Sequence, residues 1–570
     1  MQWWMAALLL VALALPIGLL YRPLGNYIAW VFTSPDHWRA ERWIYKAIGV
    51  NPDREHTWHS YLRAVLVFSA VGFILLYAMQ RMQMWLPYSL GLPAVSPDVA
   101  FNTAASFVGN TNWQSYSPEE TTGYTVQMAG LAVQMFVSGA VGICVSIALT
   151  RGIAYHKRGT LGNFWVDVVR ATVRILLPMA IIASVVLMTA GVIQNFASFA
   201  TISTVAGGTQ TMPGGPVASQ EAIKMLATNG GGFFNANSAH PFENPTPWEN
   251  LFQVFMLLII PFSLPRTFGK IVGDHRMGYV ILTTMATLFT MAYVSITAAE
   301  LSAAGTAPQL AGAAMEGKEQ RLGIISSTLF ATATTGTSGG AANSMHSSYT
   351  AIGGMIEILH MLLGEISPGG VGSGLYTMLV MVLLGVFLTG LLLGRAPVFL
   401  GKRLGVTEVK LVGIFILVLP VLALGGLGIS MAIPPVRAEL VNFSMSATGC
   451  IGTGGPNDPL NCAHDMTEAI YAFVSVTVNN GSSFAGFNAN TPYLNTVFGI
   501  VILLGRFIPI ALVLALAGSF ASQGRATSRA SELPLHRPQF VLWLVILIIY
   551  IAIPTFIPVL LLGPLAEGLH

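Results

Sequence analysis

Four short stretches of this chain carry glycine, asparagine, threonine and serine in patterns suited to presenting backbone rather than side chains. They are FNTAASFVGNTNWQ (Phe101 to Gln114), EAIKMLATNGGGFFNAN (Glu221 to Asn237), IISSTLFATATTGTSGGAAN (Ile324 to Asn343) and EAIYAFVSVTVNNGSSFAGFNAN (Glu468 to Asn490). The second and fourth share an Asn-Gly pair, Asn229-Gly230 and Asn480-Gly481, then Phe233 and Phe484, and a terminal Phe-Asn-Ala-Asn. Each opens as a semi-apolar segment too short to cross a bilayer and ends in its polar cluster, the sequence form of a re-entrant half-helix and loop. Non-helical backbone at membrane depth is tolerated only where it is buried in protein or lines a wet cavity. Loops of this kind converging on one axis would offer rings of carbonyl oxygens that replace the hydration shell of potassium. Glycine suits the task because it lacks a Cβ and reaches positive φ. The half-helices aim the negative ends of their dipoles at the ion. A tight divalent site would want carboxylates or imidazoles at the constriction, and the polar clusters hold none. The chemistry favoured is capture of a desolvated monovalent cation, potassium first.

Such loops need a membrane scaffold, and the composition supplies one. The 570 residues are 54% hydrophobic and only 9% charged, with a mean hydropathy of +0.67. Soluble domains carry roughly 25% charged residues. A bilayer-spanning helix needs about 20 mostly apolar residues, and the sequence predicts spans at 3–22, 63–86, 126–149, 172–194, 250–265, 278–298, 373–394, 409–431, 496–520 and 540–562. The expected architecture is an all-α integral membrane protein of ten spans. Eight of them form four pseudo-fourfold span–pore-loop–span repeats, and one extra span sits at each end. The expected boundaries are 1–62 for the first span and its basic loop, 63–158, 159–277, 278–408 and 409–530 for the repeats, and 531–570 for the last span.

Charge orients the chain. Loops after the odd-numbered spans hold most of the basic residues, among them Arg39, Arg42, Lys46, Arg54, Arg151, Lys157, Arg158, Arg266, Lys270, Lys402, Arg403 and Arg525. The alternate loops hold only Arg81, Lys224, Lys318, Arg321 and Arg437. By the positive-inside rule the basic loops are cytoplasmic and both termini face out. The outward loops are acidic, with Glu221, Glu243, Glu249, Glu300, Glu319, Glu357 and Glu365 among others. They predict either a negative vestibule that concentrates cations or plain solvated loops. The net charge of +3 is spread too thinly for a nucleic-acid surface. The apolar N-terminus lacks a basic n-region and reads as a retained span rather than a cleaved signal. Of the three cysteines, Cys144 reads as a core residue. Cys450 and Cys462 share a polar loop and can pair only if that loop lies outside the cytoplasm. Gly312-x-x-x-x-Gly317-Lys318 approaches a P-loop, but Glu319 stands where Ser or Thr should hold magnesium, and the reading is rejected.

The clusters TNWQSYS (Thr111 to Ser117), TNGGGFFNANSAHPFENPT (Thr228 to Thr246) and NNGSSFAGFNANTP (Asn479 to Pro492) resemble the KdpA family, and the resemblance spans essentially the whole chain. That family is the potassium-translocating subunit of the bacterial KdpFABC complex and belongs with TrkH and KtrB to the superfamily of K⁺ transporters. The resemblance implies a filter built from Asn110, Thr111 and Asn112; Thr228, Asn229 and Gly230; Ser338, Gly339 and Gly340; and Asn479, Asn480 and Gly481. Gln114 matches a family position near the ion. Asn112 replaces the glycine of the other three repeats, which puts strict fourfold symmetry in doubt. It further implies partners KdpB, a P-type ATPase that hydrolyses ATP, with KdpC and KdpF, no covalent cofactor, and a bacterial inner-membrane location. The chain has no DKTG phosphorylation motif of its own.

Three charged residues are further candidates for a gate or tunnel. Arg506 falls inside the ninth span, where a charge costs about 2.5–3.5 kcal/mol even on insertion scales. It is read either as a positive barrier below the filter or as a snorkelling or ion-paired side chain. Arg395 closes the seventh span as a gate residue or an ordinary inner-edge anchor. Glu365 resembles a family tunnel-entrance position but equally suits a solvated cap, with Glu357 and His360 beside it outside the third filter loop. Gly385, Gly390 and Gly394 would permit a break in span seven. Two rivals remain. A stand-alone Trk/Ktr-type channel or symporter needs the same carbonyl rings. A secondary transporter of an organic solute expects halves of opposite topology, whereas these four units share one orientation.

Overall fold

The computed structural model describes residues 2–302, 315–440, 459–525 and 535–568. All ten expected spans are present as long apolar helices: Gln2–Thr33, Trp58–Arg81, Val126–Ala154, Phe164–Ala190, Pro247–Val272, His275–Leu301, Ser373–Leu392, Val406–Ala432, Pro492–Ser522 and Pro538–Leu562. Between them sit the four half-helices, Pro97–Val108, Val217–Leu226, Gly323–Thr335 and Pro459–Val478. Two small hairpins decorate this helical frame, Ala200–Ser203 with Thr209–Met212 and Val398–Phe399 with Lys402–Arg403.

Within every repeat the second span is the inner one. The buried share of its most apolar stretch exceeds that of the first span in each case: 83% against 22%, 78% against 39%, 67% against 56% and 44% against 17%. Position in the repeat, rather than hydropathy, therefore separates pore-side helices from lipid-side ones. The least buried spans are the first and Val406–Ala432, each only 17% buried.

Two spans run well past their sequence-based ends. The first continues through Arg22 and Pro23 to Thr33, and the fifth through Pro261 and Pro265 to Val272. These two helices pack along each other, with the Thr267 hydroxyl donating to the Gly25 carbonyl at 3.0 Å. The C-terminal carbonyls of the first span, buried and beyond intrahelical reach, are caught by guanidinium groups. Arg151 Nη2 donates to Phe32 O at 2.9 Å and Arg170 Nη1 to Val31 O at 3.1 Å. Unpaired carbonyls at a helix end need such donors, and a cation there also meets the dipole favourably. Arg151 is held in turn by Asp167, at 2.6 and 3.0 Å. Arg174 sits in a π-helical turn, Ala171–Leu176, and pairs with the fully buried Glu41. Arg151, Arg170 and Arg174 are thus structural clamps.

The break in the seventh span is not where its glycines suggested. Ser373–Leu392 is continuous, and Gly385 packs against Leu544 and Leu547. The interruption lies just before it, at residues 363–372, between the short apolar helix Ala351–Leu362 and Ser373. Gly364, Gly369 and Gly372 there take φ of 87°, 83° and 92°, values open to glycine at no steric cost. The second membrane crossing of repeat three is therefore two helical pieces joined by an irregular loop.

Candidate ion-selectivity filter

Each half-helix ends immediately before its polar cluster, so four helix C-termini point at one place. Asn110, Thr228 and Asn479, the first residue of three of the four clusters, turn the chain out of the helix through the left-handed region, with φ of 69°, 49° and 64°. Asparagine tolerates that conformation better than other side-chain-bearing residues; Thr228 is held in it by its surroundings, its hydroxyl accepting from the Val371 N–H at 3.0 Å.

The clusters then meet. A Cβ added to Gly230 would overlap the Thr111 carbonyl oxygen and lie 2.7 Å from Asn480 O and 3.0 Å from the Gly340 Cα. One added to Gly340 would overlap Gly481 and Ser482 backbone, and one on Gly481 would overlap Thr111 O. The four strands are thus in backbone contact around one point. Fourfold symmetry fails in an instructive way. Asn112 and Gly481 have positive φ, 56° and 104°, whereas Gly230 and Gly340 do not. Glycine is required at 230 and 340 for space and at 481 for both space and conformation, and Asn112 adopts the left-handed turn that a glycine would otherwise supply.

Among the described residues no donor reaches the carbonyl oxygens of Thr111, Asn229 or Asn480, although all three residues are fully buried. Buried carbonyls without partners are rare in proteins. Five carbonyls nearby are bonded instead. Asn110 Nδ2 donates to Thr228 O at 2.9 Å, Asn237 Nδ2 to Gly230 O at 3.1 Å, and Asn480 Nδ2 to Thr334 O and Thr337 O at 2.8 and 2.9 Å. The Thr334 hydroxyl takes Gly339 O. Side chains also stitch strand to strand: Asn112 Nδ2 to Asn229 Oδ1 at 2.5 Å and Asn479 Nδ2 to Thr111 Oγ1 at 3.0 Å. Gln114 accepts from the Gly232 N–H at 3.0 Å and tethers the first strand to the second at the outer mouth. The amide side chains of the clusters therefore brace the backbone.

Outside the filter opens a vestibule of about 750 Å³ lined by Gln114, Tyr116, Asn235, Asn237, Ser482, Asn488 and their neighbours. The expected negative vestibule is not what the outward acids make. Glu221 and Glu243 pair with the fully buried Lys224, and Glu300 pairs with Lys318 at 2.8 Å. Glu249 and Glu357 are completely buried. The wall mixes amides and hydroxyls with Trp113, Phe234, Met345, Phe484 and Phe487, and Glu319 lies there beside Lys318 and Arg321. Lys318, the lysine of the rejected P-loop reading, is consumed by Glu300 and lies over the Tyr349 ring; Gly312 falls outside the described residues, as does the question of a Cys450–Cys462 pair.

Lys224 was invisible as a functional residue. It donates to Asn237 Oδ1 at 2.9 Å and Ser238 Oγ at 3.2 Å besides its two glutamates, and so fixes the asparagine that holds Gly230 O. A lone lysine in the apolar half-helix EAIKMLA, three residues after Glu221, was the available signal.

Beneath the filter lies a second cavity of about 80 Å³, room for a few waters. Ser338, Glu365, Ser373, Asn479 and Arg506 line it. Glu365 is not a solvated cap. It is 3% exposed, accepts from Ser338 Oγ at 2.6 Å and from Asn480 Nδ2 at 2.9 Å, and belongs to the 363–372 break. Arg506 is buried and donates to Ser138 O at 3.2 Å; the Ser138 hydroxyl donates in turn to Asn110 Oδ1. Among the described residues no carboxylate pairs with Arg506 within 4.0 Å. Arg395 stands apart, exposed just beyond Leu392. His360 turns inward, bonded to Thr335 and Ser367.

At the outer side, His464 on the fourth half-helix lies 2.9 Å from Glu567 and 3.5 Å from Glu468. Burial opposes its charge, but hydrogen bonds to the two carboxylates win and hold the imidazole up to about 10. A folded-state value above the ordinary 6.5 stabilises fully below that pH, and the gain is lost as pH rises through about 10. His464→Gln therefore lowers the thermal midpoint in detergent at pH 7, and the gap to the parent narrows steadily towards pH 10.

Ten spans, four half-helices and a backbone-lined constriction define a membrane protein of the four-pore-loop transporter class. The solved chain titled as the potassium transporter TrkH from Vibrio parahaemolyticus has this fold, with a TM-score of 0.52 at 14% identity over 88% of this chain and 98% of that one. A family profile described as KdpA, potassium-transporting ATPase A subunit, matches residues 9–569, and the chain belongs to that family. Relatives named potassium-transporting ATPase potassium-binding subunit include one from Clavibacter sepedonicus, 57% identical over 99% of both chains. Another, from Cutibacterium acnes, is 53% identical over 98% of both.

Proposed function

We propose that this chain is the potassium-binding subunit of an ATP-driven potassium importer. It takes the ion from the outer vestibule and selects it at the four clusters. It then passes the ion beneath the filter towards a partner that hydrolyses ATP. The observation that carries this reading is the set of carbonyls at Thr111, Asn229 and Asn480, buried and without a donor among the described residues, where backbone of the four clusters meets. Carbonyl dipoles fixed around a small space can replace the water of a monovalent cation. The filter comprises Asn110, Thr111, Asn112, Thr228, Asn229, Gly230, Ser338, Gly339, Gly340, Asn479, Asn480 and Gly481, with Gln114 at its mouth. Glu365 and Arg506 form the floor; Arg395 is an anchor at the inner edge. The repeats divide near residues 63, 159, 278, 409 and 531, with both termini outside the bacterial inner membrane. A P-type ATPase of the KdpB kind, with KdpC and KdpF, completes the machine.

A stand-alone Trk/Ktr-type channel shares the fold, but the full-length relatives above 50% identity are named as pump subunits. Purification in mild detergent separates the two. The pump reading expects an ATPase subunit to copurify, with ATP hydrolysis stimulated by potassium in preference to sodium. A conducting homodimer that recruits no ATPase overturns it.

A further inference from the structure

The fourth filter strand is held by a line of hydrogen bonds that begins far from it. Ser482, directly after Gly481, donates through Oγ to Asn480 Oδ1 at 2.5 Å, and its N–H reaches the same oxygen at 3.1 Å. Ser482 Oγ lies 2.7 Å from the hydroxyl of Tyr471, which is fully buried in the fourth half-helix. That hydroxyl lies 2.9 Å from Nδ1 of His346, and His346 Nδ1 is 3.2 Å from Glu357 Oε2. Hydroxyls carry one hydrogen each. With the Ser482 hydrogen on Asn480, Ser482 Oγ accepts from Tyr471, and the Tyr471 oxygen then accepts from a hydrogen on His346 Nδ1. All three donors point towards Asn480. On its other side Asn480 Nδ2 is fixed by Thr334 O, Thr337 O and Glu365. The amide is pinned from both ends, and with it the orientation of the Asn480 carbonyl, one of the unpartnered oxygens.

We infer that Tyr471 is a specificity-determining positioning residue: its hydroxyl, backed by the Nδ1 hydrogen of His346 from the third repeat, sets the register of the Asn480 carbonyl and thereby the size of ion the filter accepts. The inference rests on the filter reading above. A smaller ion such as sodium is refused only if the carbonyls cannot close in on it, and a strand tied through a neighbouring repeat is hard to move. The ring itself packs on Phe484 with centroids 4.4 Å apart, so Tyr471→Phe removes the donor and acceptor while keeping the packing.

The test is potassium-, rubidium- and sodium-stimulated ATPase of the whole purified complex carrying Tyr471→Phe, Ser482→Ala, or both. The expected result is a rise in KM for potassium of about threefold to tenfold, larger than any loss of kcat, with a comparable fall in discrimination against sodium. The double variant should be no worse than the more affected single one, because both cut the same line. Unchanged KM and ion ratios, or a uniform loss of kcat with ratios intact, overturn the inference. If Tyr471→Phe does not assemble, Ser482→Ala alone decides by the same criteria. Gly230→Ala run in parallel separates the levels: selectivity altered there but not at Tyr471 or Ser482 defeats only this inference, and selectivity unaltered in all defeats the filter reading.

Discussion

Gly230→Ala raises the potassium concentration for half-maximal ATPase stimulation of the complex, and Gly230→Asp abolishes discrimination between potassium and sodium. The added Cβ has nowhere to go: the Thr111 oxygen overlaps it, with Asn480 O and Gly340 Cα at 2.7 and 3.0 Å. All three obstacles are backbone, so relief requires moving the strands that form the constriction. Overpacking of this kind costs about 1–3 kcal/mol, equivalent to a roughly fivefold to 150-fold loss in apparent affinity if it falls on the ion-bound state. Aspartate adds a carboxylate among the carbonyls, a hard anionic ligand that favours smaller or more highly charged ions. Because the penalty is local, the complex should still assemble and bind nucleotide. Potassium affinity and sodium rejection both kept in Gly230→Ala would show that these strands do not meet the ion.

The frame of this protein was open to reading because its signals are local. Hydropathy fixes a span within one window. Re-entrant segments betray themselves by being apolar yet too short. What escaped were features set by distant contacts. The spans ending at Thr33 and Val272 pass through prolines that would kink or stop an isolated helix, because each is packed along the other and Arg151 and Arg170 close the first. The outward glutamates were countable, but that Lys224 and Lys318 consume Glu221, Glu243 and Glu300 follows only from the fold. The true break of the third repeat, SPGGVGSG after Glu365, was present as glycine and proline. It was overshadowed by glycines inside a strongly apolar run, where glycine serves close packing as readily as bending. Bracing residues such as His346 and Tyr471, 125 positions apart, carry no short-range mark at all.

Arg506→Met uncouples transport from ATP hydrolysis, whereas Arg506→Lys retains most coupling. The guanidinium is buried, lines the small cavity under the filter, and has no carboxylate within 4.0 Å among the described residues. Its hydrogen bond to Ser138 O holds it on the inner span Val126–Ala154, whose Ser138 hydroxyl in turn braces Asn110. A fixed positive charge roughly 4–8 Å from a descending cation opposes it by about 2–4 kcal/mol at an effective dielectric near 20. That slows straight-through passage by about thirtyfold to several hundredfold. Glu365, across the same cavity, offers the opposite sign and sits at the broken third repeat. On the proposed function the pair would bias an ion sideways rather than downwards. In proteoliposomes without ATP, Arg506→Met complexes should leak potassium down a gradient while parent complexes stay tight. ATPase activity should persist, with less potassium moved per ATP. Methionine keeps the stem packed and removes only the charged head, so a tight, fully coupled Arg506→Met complex would leave the arginine a structural bolt for Ser138 and the inner span, and the barrier would have to lie elsewhere.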